Sequence, residues 1–354
     1  MHRVLAINPG STSTKIAVYE GETPRFEEVI RHEAGELAQY PRIADQYAFR
    51  RDAVLGALAA HRIAVDVLDG VVGRGGVLRP IASGTYLVNE AMLNYLRSPM
   101  EREHASNLGA LIAHEIATTA GAPAYIVDPV CVDEFDDIAR IAGLPEIERK
   151  SLSHALNLKA TARRAARDLG QSYEDLNLVV VHLGGGISVT PHRHGRMVDV
   201  NQALDGTGPF TPERSGGLPV GDVVRMCYSG AYTYDEMFKK IAGRGGLVAH
   251  LGTNDAEDVV QRIEAGDAHA RLVFEAMAYQ IAKEIGLMST VLYGNVDAIV
   301  VTGGLAHSEM LINWVTPRVE WIAPVMVYPG EDELLALAQG ALRVLHGEEP
   351  AKEY

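Results

Sequence analysis

Three stretches of this chain set glycine and hydroxyl residues directly after a short apolar run, an arrangement suited to holding phosphate. In the first, Asn8-Pro9-Gly10-Ser11-Thr12-Ser13-Thr14-Lys15 follows the apolar residues 4–7. Glycine lets backbone N–H groups approach an anion, hydroxyls add donors, and Lys15 supplies a point charge. A Walker A loop needs Gly-Lys-Ser/Thr opening a helix, and the chain has no such sequence. The same residues also make an ordinary hairpin turn. The second stretch is His182-Leu183-Gly184-Gly185-Gly186-Ile187-Ser188, whose glycines either cradle phosphate or form a flexible hairpin. In the third, Thr302-Gly303-Gly304-Leu305 follows a strand and precedes a helix, where helix N–H groups can face a nucleotide. Each signal is weak alone, and the three together reinforce one another.

Charged candidates stand near these turns. Arg74, in Gly73-Arg74-Gly75-Gly76, can grip a small anion bidentately or simply face solvent. Asp128 closes the apolar run 124–127 beside Pro129. Its carboxylate can orient a cation or magnesium, or make an Asx-turn or helix cap. His154 opens a helical run in Ser151-Leu152-Ser153-His154-Ala155-Leu156-Asn157, where a histidine can also belong to the capping region with no chemical role. His192 and His194 fall in a hairpin tip and are expected to face solvent. Cys131 and Cys227 suggest neither a disulfide framework nor a thiolate metal site and are expected as small core residues.

Positioning these residues takes two cycles of one plan. Strands are predicted at 4–8, 15–20 and 26–32, a helix over 43–61, a strand at 70–72, a helix from Asn107 to a Gly121 cap, and a strand at 124–127. A helix over 155–169, stopped by Gly170, leads to strands at 178–181, 187–191 and 197–200. A long helix from about 268 to 293, a strand at 298–302 and a last helix over 334–346 complete the chain. The apolar strand, glycine turn and returning strand of the N-terminus recur at 178–191. This predicts an α/β fold of two similarly built domains with a cleft between them. The 354 residues suffice for two cores, and 47% hydrophobic with 22% charged residues is the composition of a folded chain. A net charge of −14 repels polyanions, and no basic run is interleaved with aromatics, so nucleic-acid binding is not expected. No apolar run is long enough to cross a bilayer, and no basic or apolar leader precedes residues 4–7. Both predict a cytoplasmic protein with no membrane partner.

Together the residues resemble the acetate and butyrate kinase family, a branch of the superfamily of actin, sugar kinases and heat-shock ATPases. The resemblance covers nearly the whole chain. It runs through the Asn8–Lys15 turn, Gly73-Arg74-Gly75-Gly76, the 149–157 stretch, His182-Leu183-Gly184-Gly185-Gly186, Pro209-Phe210-Thr211-Pro212-Glu213-Arg214-Ser215-Gly216-Gly217, Gly252-Thr253-Asn254-Asp255 and Pro329-Gly330-Glu331-Asp332-Glu333-Leu334. Asn8-Pro9-Gly10, His154-Ala155-Leu156-Asn157, the Glu213–Gly217 stretch and the modest length are more similar to the butyrate branch. The resemblance implies two domains of duplicated actin-like (ribonuclease H-like) topology flanking an ATP cleft. They would be residues 1–150, completed by the C-terminal helix 334–354, and residues 151–333.

The resemblance also implies roles. Asn8, Gly10, Ser11, Ser13 and Lys15 would hold the ATP phosphates, with Asn8 and Asp332 at magnesium and Glu331 and Glu333 competing for the acidic place. Arg74 would bind the substrate carboxylate, Asp128 would orient the reacting groups, and His154 and Arg214 would face the transferring phosphoryl group. His182, Gly184, Gly185 and Gly186 would form the second phosphate turn, and Gly303 and Gly304 the adenosine turn. Ser153 stands where the family commonly has Phe, which implies altered room for the alkyl chain. The activity implied is reversible, ATP- and Mg²⁺-dependent phosphorylation of butyrate or another short-chain or branched acid. The alternatives are an acetate or propionate kinase of the same fold and, more distantly, a nucleotide-switched ATPase. The implied partners are the small carboxylate and a second copy of the chain, in a homodimer or larger homo-oligomer. A carboxylate is already ionised at neutral pH, so the task is positioning and charge stabilisation. A sugar kinase would need a carboxylate to take a hydroxyl proton.

Overall fold

The computed structural model describes residues 1–98, 104–204 and 206–354. They divide into two compact units, Met1–Val132 with Asp332–Tyr354, and Asp133–Glu331. In the first unit, β1 (Arg3–Pro9), β2 (Ser13–Glu20), β3 (Thr23–Arg31), β4 (Gly70–Arg74), β5 (Thr85–Leu87) and β6 (Ala124–Val127) form a sheet in the order β3-β2-β1-β4-β6-β5. β1 pairs antiparallel with β2 and parallel with β4, and β4 pairs parallel with β6. Parallel neighbours need crossovers, which the helices Tyr47–Ala60 and Asn107–Ala120 supply. The helix Glu333–Leu345 returns to pack on β1, β4 and β6. Because both faces are covered, β1 and β4 read as near-continuous apolar runs: Val4, Leu5, Ala6, Ile7, Val71 and Val72 are all buried.

In the second unit, β7 (Asn177–Leu183), β8 (Ile187–Arg193), β9 (Arg196–Met197), β10 (Ala298–Gly303) and β11 (Val325–Pro329) take the order β11-β10-β7-β8-β9. Outward from the hairpin, β7/β8 corresponds to β1/β2, β10 to β4 and β11 to β6, with the same parallel and antiparallel relations. This is the repeat that the two glycine turns announce. The helix Ala268–Val291 leads to β10 and Glu309–Val319 to β11. The helix Ala155–Asp168 packs on β7 and β10, as Glu333–Leu345 packs on β1 and β4. None of the described helices is long and apolar enough to cross a membrane.

Several expectations change. The unit boundary falls after Val132, not after residue 150, and the chain returns to the first unit at Asp332. Residues 133–150 are tied to the second unit by ion pairs of long sequence separation: Glu134 with Lys159 (2.6 Å), Arg149 with Asp199 (2.7 Å) and Asp136 with Arg193. His192 is fully buried in β8 rather than solvent-facing, because that strand is covered on both faces. Its Nδ1 meets the Tyr173 hydroxyl at 2.7 Å, and burial holds the ring well below the usual histidine range. His194 is exposed at the tip. Of the predicted strand 197–200, only Met197 pairs, within Arg196–Met197. Cys131 is buried, its thiol pushed up to about 11 by that burial. Cys227 is exposed instead, on the helix Val220–Cys227, which buries none of its residues.

The Lys159 ammonium holds the 133–150 segment from within. It is 1% exposed and donates to Glu134 and, at 2.7 Å, to the Gly195 carbonyl. Lys159→Met takes this charge away from Glu134, and breaking a buried pair from one side costs about 3–5 kcal/mol. The thermal midpoint is expected to fall accordingly, and Lys159→Met with Glu134→Gln should recover part of the loss.

Candidate functional site

In the first unit the β1/β2 turn closes with the Gly10 N–H donating to the Ser13 carbonyl at 2.8 Å. The register sets Asn8 opposite Lys15, so both project to one side of the sheet. Arg74 ends β4, the parallel neighbour of β1. Its guanidinium reaches one oxygen of Glu333, and Asn8 Nδ2 donates to the other at 2.5 Å. With Gly10, Ser13, Lys15 and Val130, these residues line a cavity of about 290 Å³. That is the size of a site for a ligand of few atoms.

The three competing acidic residues part company here. Asp332 turns to the helix Glu333–Leu345 and caps it, Oδ1 accepting the Leu335 N–H at 3.1 Å. Glu331 belongs to the second unit and meets His182 Nε2 at 3.2 Å. Glu333 meets Asn8 and Arg74. Asp128 is buried with φ 37°, a left-handed conformation that aspartate tolerates. Its carboxylate accepts from Ser83 Oγ at 2.6 Å and the Gly84 N–H at 2.8 Å, so it pins that turn. It is not among the residues lining the cavity.

In the second unit His182 is buried near the end of β7. Its Nδ1 meets Asn157 Oδ1 at 2.8 Å, and its ring stacks on His154 with centroids 3.9 Å apart. His154 occupies the N-cap position of Ala155–Asp168 but makes no capping bond with its side chain. Its Nδ1 instead meets Ser188 Oγ at 2.9 Å. Ser153 beside it is buried, its hydroxyl without a hydrogen-bond partner among the described residues. Arg214 lies over the glycine turn and donates to the Ala203 carbonyl. Thr211 joins its segment to the turn, the hydroxyl donating to the Gly185 carbonyl at 2.6 Å and accepting the Arg214 N–H at 3.0 Å. His154, His182, Arg214 and the turn at Gly184–Gly186 therefore come together.

Gly303 ends β10 with φ 95°, and a Cβ there would lie 2.3 Å from the Leu183 carbonyl oxygen, so only glycine fits. The chain then passes through the 3-10 helix Gly304–His307 before Glu309–Val319 begins. The glycine pair thus stands one turn away from the α-helix that was expected to follow it directly. Gly304 lines a cavity of about 840 Å³ with Asn254, Leu305, His307, Asn313 and Trp314 among its walls. A nucleoside fits in that volume.

Sequence reasoning missed several of these residues. Asn157 lies three residues after His154, one helical turn on, a spacing that could have been read. Ser188 pairs with His182 across β7/β8 as Lys15 pairs with Asn8, so the repeat pointed to it. His104 lines the smaller cavity without any motif around it. Burial and, second, Arg74 hold its ring below the usual histidine range, which leaves it neutral at pH 7.

The two units share one duplicated α/β plan of actin-like fold, each with a glycine turn closing its hairpin. The sequence pattern of the acetokinase family matches residues 148–319. Butyrate kinase 1 of Clostridium acetobutylicum is 57% identical over 354 residues, 100% of both chains. The chain belongs to the acetokinase family. The crystal structure of Porphyromonas gingivalis acetate kinase matches the fold with a TM-score of 0.80 at 18% identity, over 98% of this chain and 100% of that one. A propionate kinase from Francisella tularensis matches with 0.74 at 19% identity, over 96% and 99%.

A Cβ at Gly186 would fall 2.1 Å from Arg214 Nη1 and 3.1 Å from His154 Cε1. Gly186→Ala must displace one or both, and misplacement of about 1 Å in such a group costs on the order of 10²-fold in rate. Steady-state turnover of the variant should show that loss while its thermal midpoint stays near that of the parent.

Proposed function

We propose that this carboxylate kinase moves the γ-phosphoryl group of ATP onto butyrate or another short-chain acid, giving ADP and an acyl phosphate. The observation that carries the proposal is the buried Arg74 in the wall of a small cavity, beside Asn8, Ser13 and Lys15 of a phosphate-type turn. Full-length similarity to a butyrate kinase supports the choice of acid.

In this reading the acid's carboxylate takes the Arg74 donors from Glu333, and its alkyl chain lies toward Val130. Either carboxylate oxygen attacks without losing a proton. The reaction therefore needs no general base. Lys15, Ser11, Ser13 and the Gly184–Gly186 turn hold the phosphates, and the Gly303-Gly304 cavity takes the adenosine. His154 and Arg214 donate to the transferring phosphoryl group. The Ser188 contact and the His182 stack fix the imidazole plane beforehand, so no reorganisation is needed as charge develops. Asp128 acts indirectly, through the 83–84 turn.

Asn8 and Glu333, rather than Asp332, would hold magnesium, partly through water. When bound, the ion neutralises phosphate charge. Among the described residues no three His, Cys, Asp or Glu side chains converge on a metal position. The enzyme works in the cytoplasm as a homo-oligomer in this reading, a state that the exposed apolar side chains Val220, Val224, Tyr228 and Tyr234 favour.

With ATP, magnesium and hydroxylamine, the protein should yield hydroxamate from four- and five-carbon acids. Each buried methylene contributes about 0.8 kcal/mol, so kcat/KM should exceed that for acetate by roughly tenfold or more. No hydroxamate from any acid of two to six carbons, in protein that binds ATP, would sink the reading. Glu333→Ala should raise the magnesium needed for half-maximal rate about tenfold, the scale of losing a group that supports a metal. Asp332→Ala should leave that requirement within about twofold and cost only about 1 kcal/mol of helix capping. The reverse pattern would return the role to Asp332.

A further inference from the structure

We infer that Arg50 is a positioning residue of the phosphate turn, holding it from behind so that its donors face the nucleotide. The inference rests on the reading of residues 8–15 as a phosphate site.

Arg50 lies in the first turn of the helix Tyr47–Ala60 and is 1% exposed. Its Nη1 donates to the Gly10 carbonyl at 2.7 Å and the Ser13 carbonyl at 3.0 Å, and reaches Thr14 Oγ1 at 3.3 Å. Its Nη2 donates to the Ser11 carbonyl at 3.0 Å. Gln46, one helical turn earlier, accepts from Nε at 3.2 Å and Nη2 at 3.0 Å and so fixes the guanidinium plane. The remaining carbonyl of the tip, that of Thr12, accepts the backbone N–H of His32 at 2.9 Å. His32 Nε2 in turn meets Thr14 Oγ1 at 2.9 Å. All four carbonyls from Gly10 to Ser13 are therefore engaged from the inner side.

The electrostatic consequence is specific. Carbonyl lone pairs repel phosphate, and here they are engaged by Arg50 and His32 while Ser13 and Lys15 line the cavity. Every hydrogen bond that Arg50 donates among the described residues ends on a neutral oxygen, none on a carboxylate. A buried cation ordinarily requires a counter-charge. The phosphates across the turn would provide it. A lysine, with one point charge and no planar fork, cannot bridge three carbonyls and Gln46 at once.

Arg50→Lys keeps the charge and loses the fork. The expected result is a fall of about 10²-fold in kcat/KM for ATP, the scale of a 1 Å misplacement, with KM for the acid within about twofold. The acid's KM is spared because Arg74 is carried by β4. Gln46→Ala keeps the guanidinium but frees its plane, and should give a smaller loss in the same direction. It carries the test should Arg50→Lys fail to fold. Lys15→Ala, assayed alongside, reports on the turn itself. If Lys15→Ala weakens ATP use while Arg50→Lys and Gln46→Ala stay within about twofold of the parent, the inference is overturned and the phosphate turn stands. If Lys15→Ala is also silent, the turn is not a phosphate site and both readings fall. Equal losses for ATP and acid, together with a lowered thermal midpoint, would make Arg50 a general structural residue and overturn the inference as well.

Discussion

A strand covered on both faces has room for polar side chains chiefly at its ends, and β1, β4, β7 and β10 are covered in this way. Their apolar middles hold each sheet against its helices, and the residues with chemistry collect where the strands stop. Asn8 stands near the end of β1, Arg74 at the end of β4, His182 near the end of β7 and Gly303 at the end of β10. Both units meet this constraint in the same way. Each unit has a hairpin whose turn projects beyond the sheet and a parallel strand that ends beside it, so each offers a turn and a flanking residue at the same edge.

The second constraint is charge. A protein of net charge −14 that handles two anions needs its cations fixed in place, since the long-range field works against it. The structure fixes them by different means. Arg74 is held by Glu333, Arg214 by the Ala203 carbonyl, and Arg50 by the turn carbonyls and Gln46. The pair at Arg74 carries an anion that the proposed substrate could replace. At Arg50 the hydrogen-bond partners among the described residues are all neutral oxygens, so its geometry is set without a carboxylate, which suits a group meant to stabilise phosphate.

Much of this architecture was legible because its signals are local. The apolar runs 4–7, 178–181 and 298–302 read as strands, and the glycine turns marked where two of them reverse. The repeat of strand, turn and strand gave the two-unit plan. Errors arose where long-range contacts decide. Residues 133–150 look like the tail of the first unit until Lys159, Arg193 and Arg149 become their ionic partners. His192 sits in polar sequence, yet β8 is covered on both faces and Tyr173 accommodates it.

The sequence by itself determined the strands that carry the repeat and the long helices, which turns could hold phosphate, and the family to which the chain belongs. Which side chains face the site was decided only by tertiary structure. Asp332 and Glu333 are neighbours at a helix start, where successive residues point about 100° apart. One caps the helix and the other meets Asn8 and Arg74, and nothing in Glu331-Asp332-Glu333 distinguishes them beforehand. Arg50 lies 40 residues from Gly10 in an unremarkable helical stretch. Its contact with the turn exists because the crossover helix packs against β2 and β3, a placement set by burial of the whole sheet and carried by no local motif.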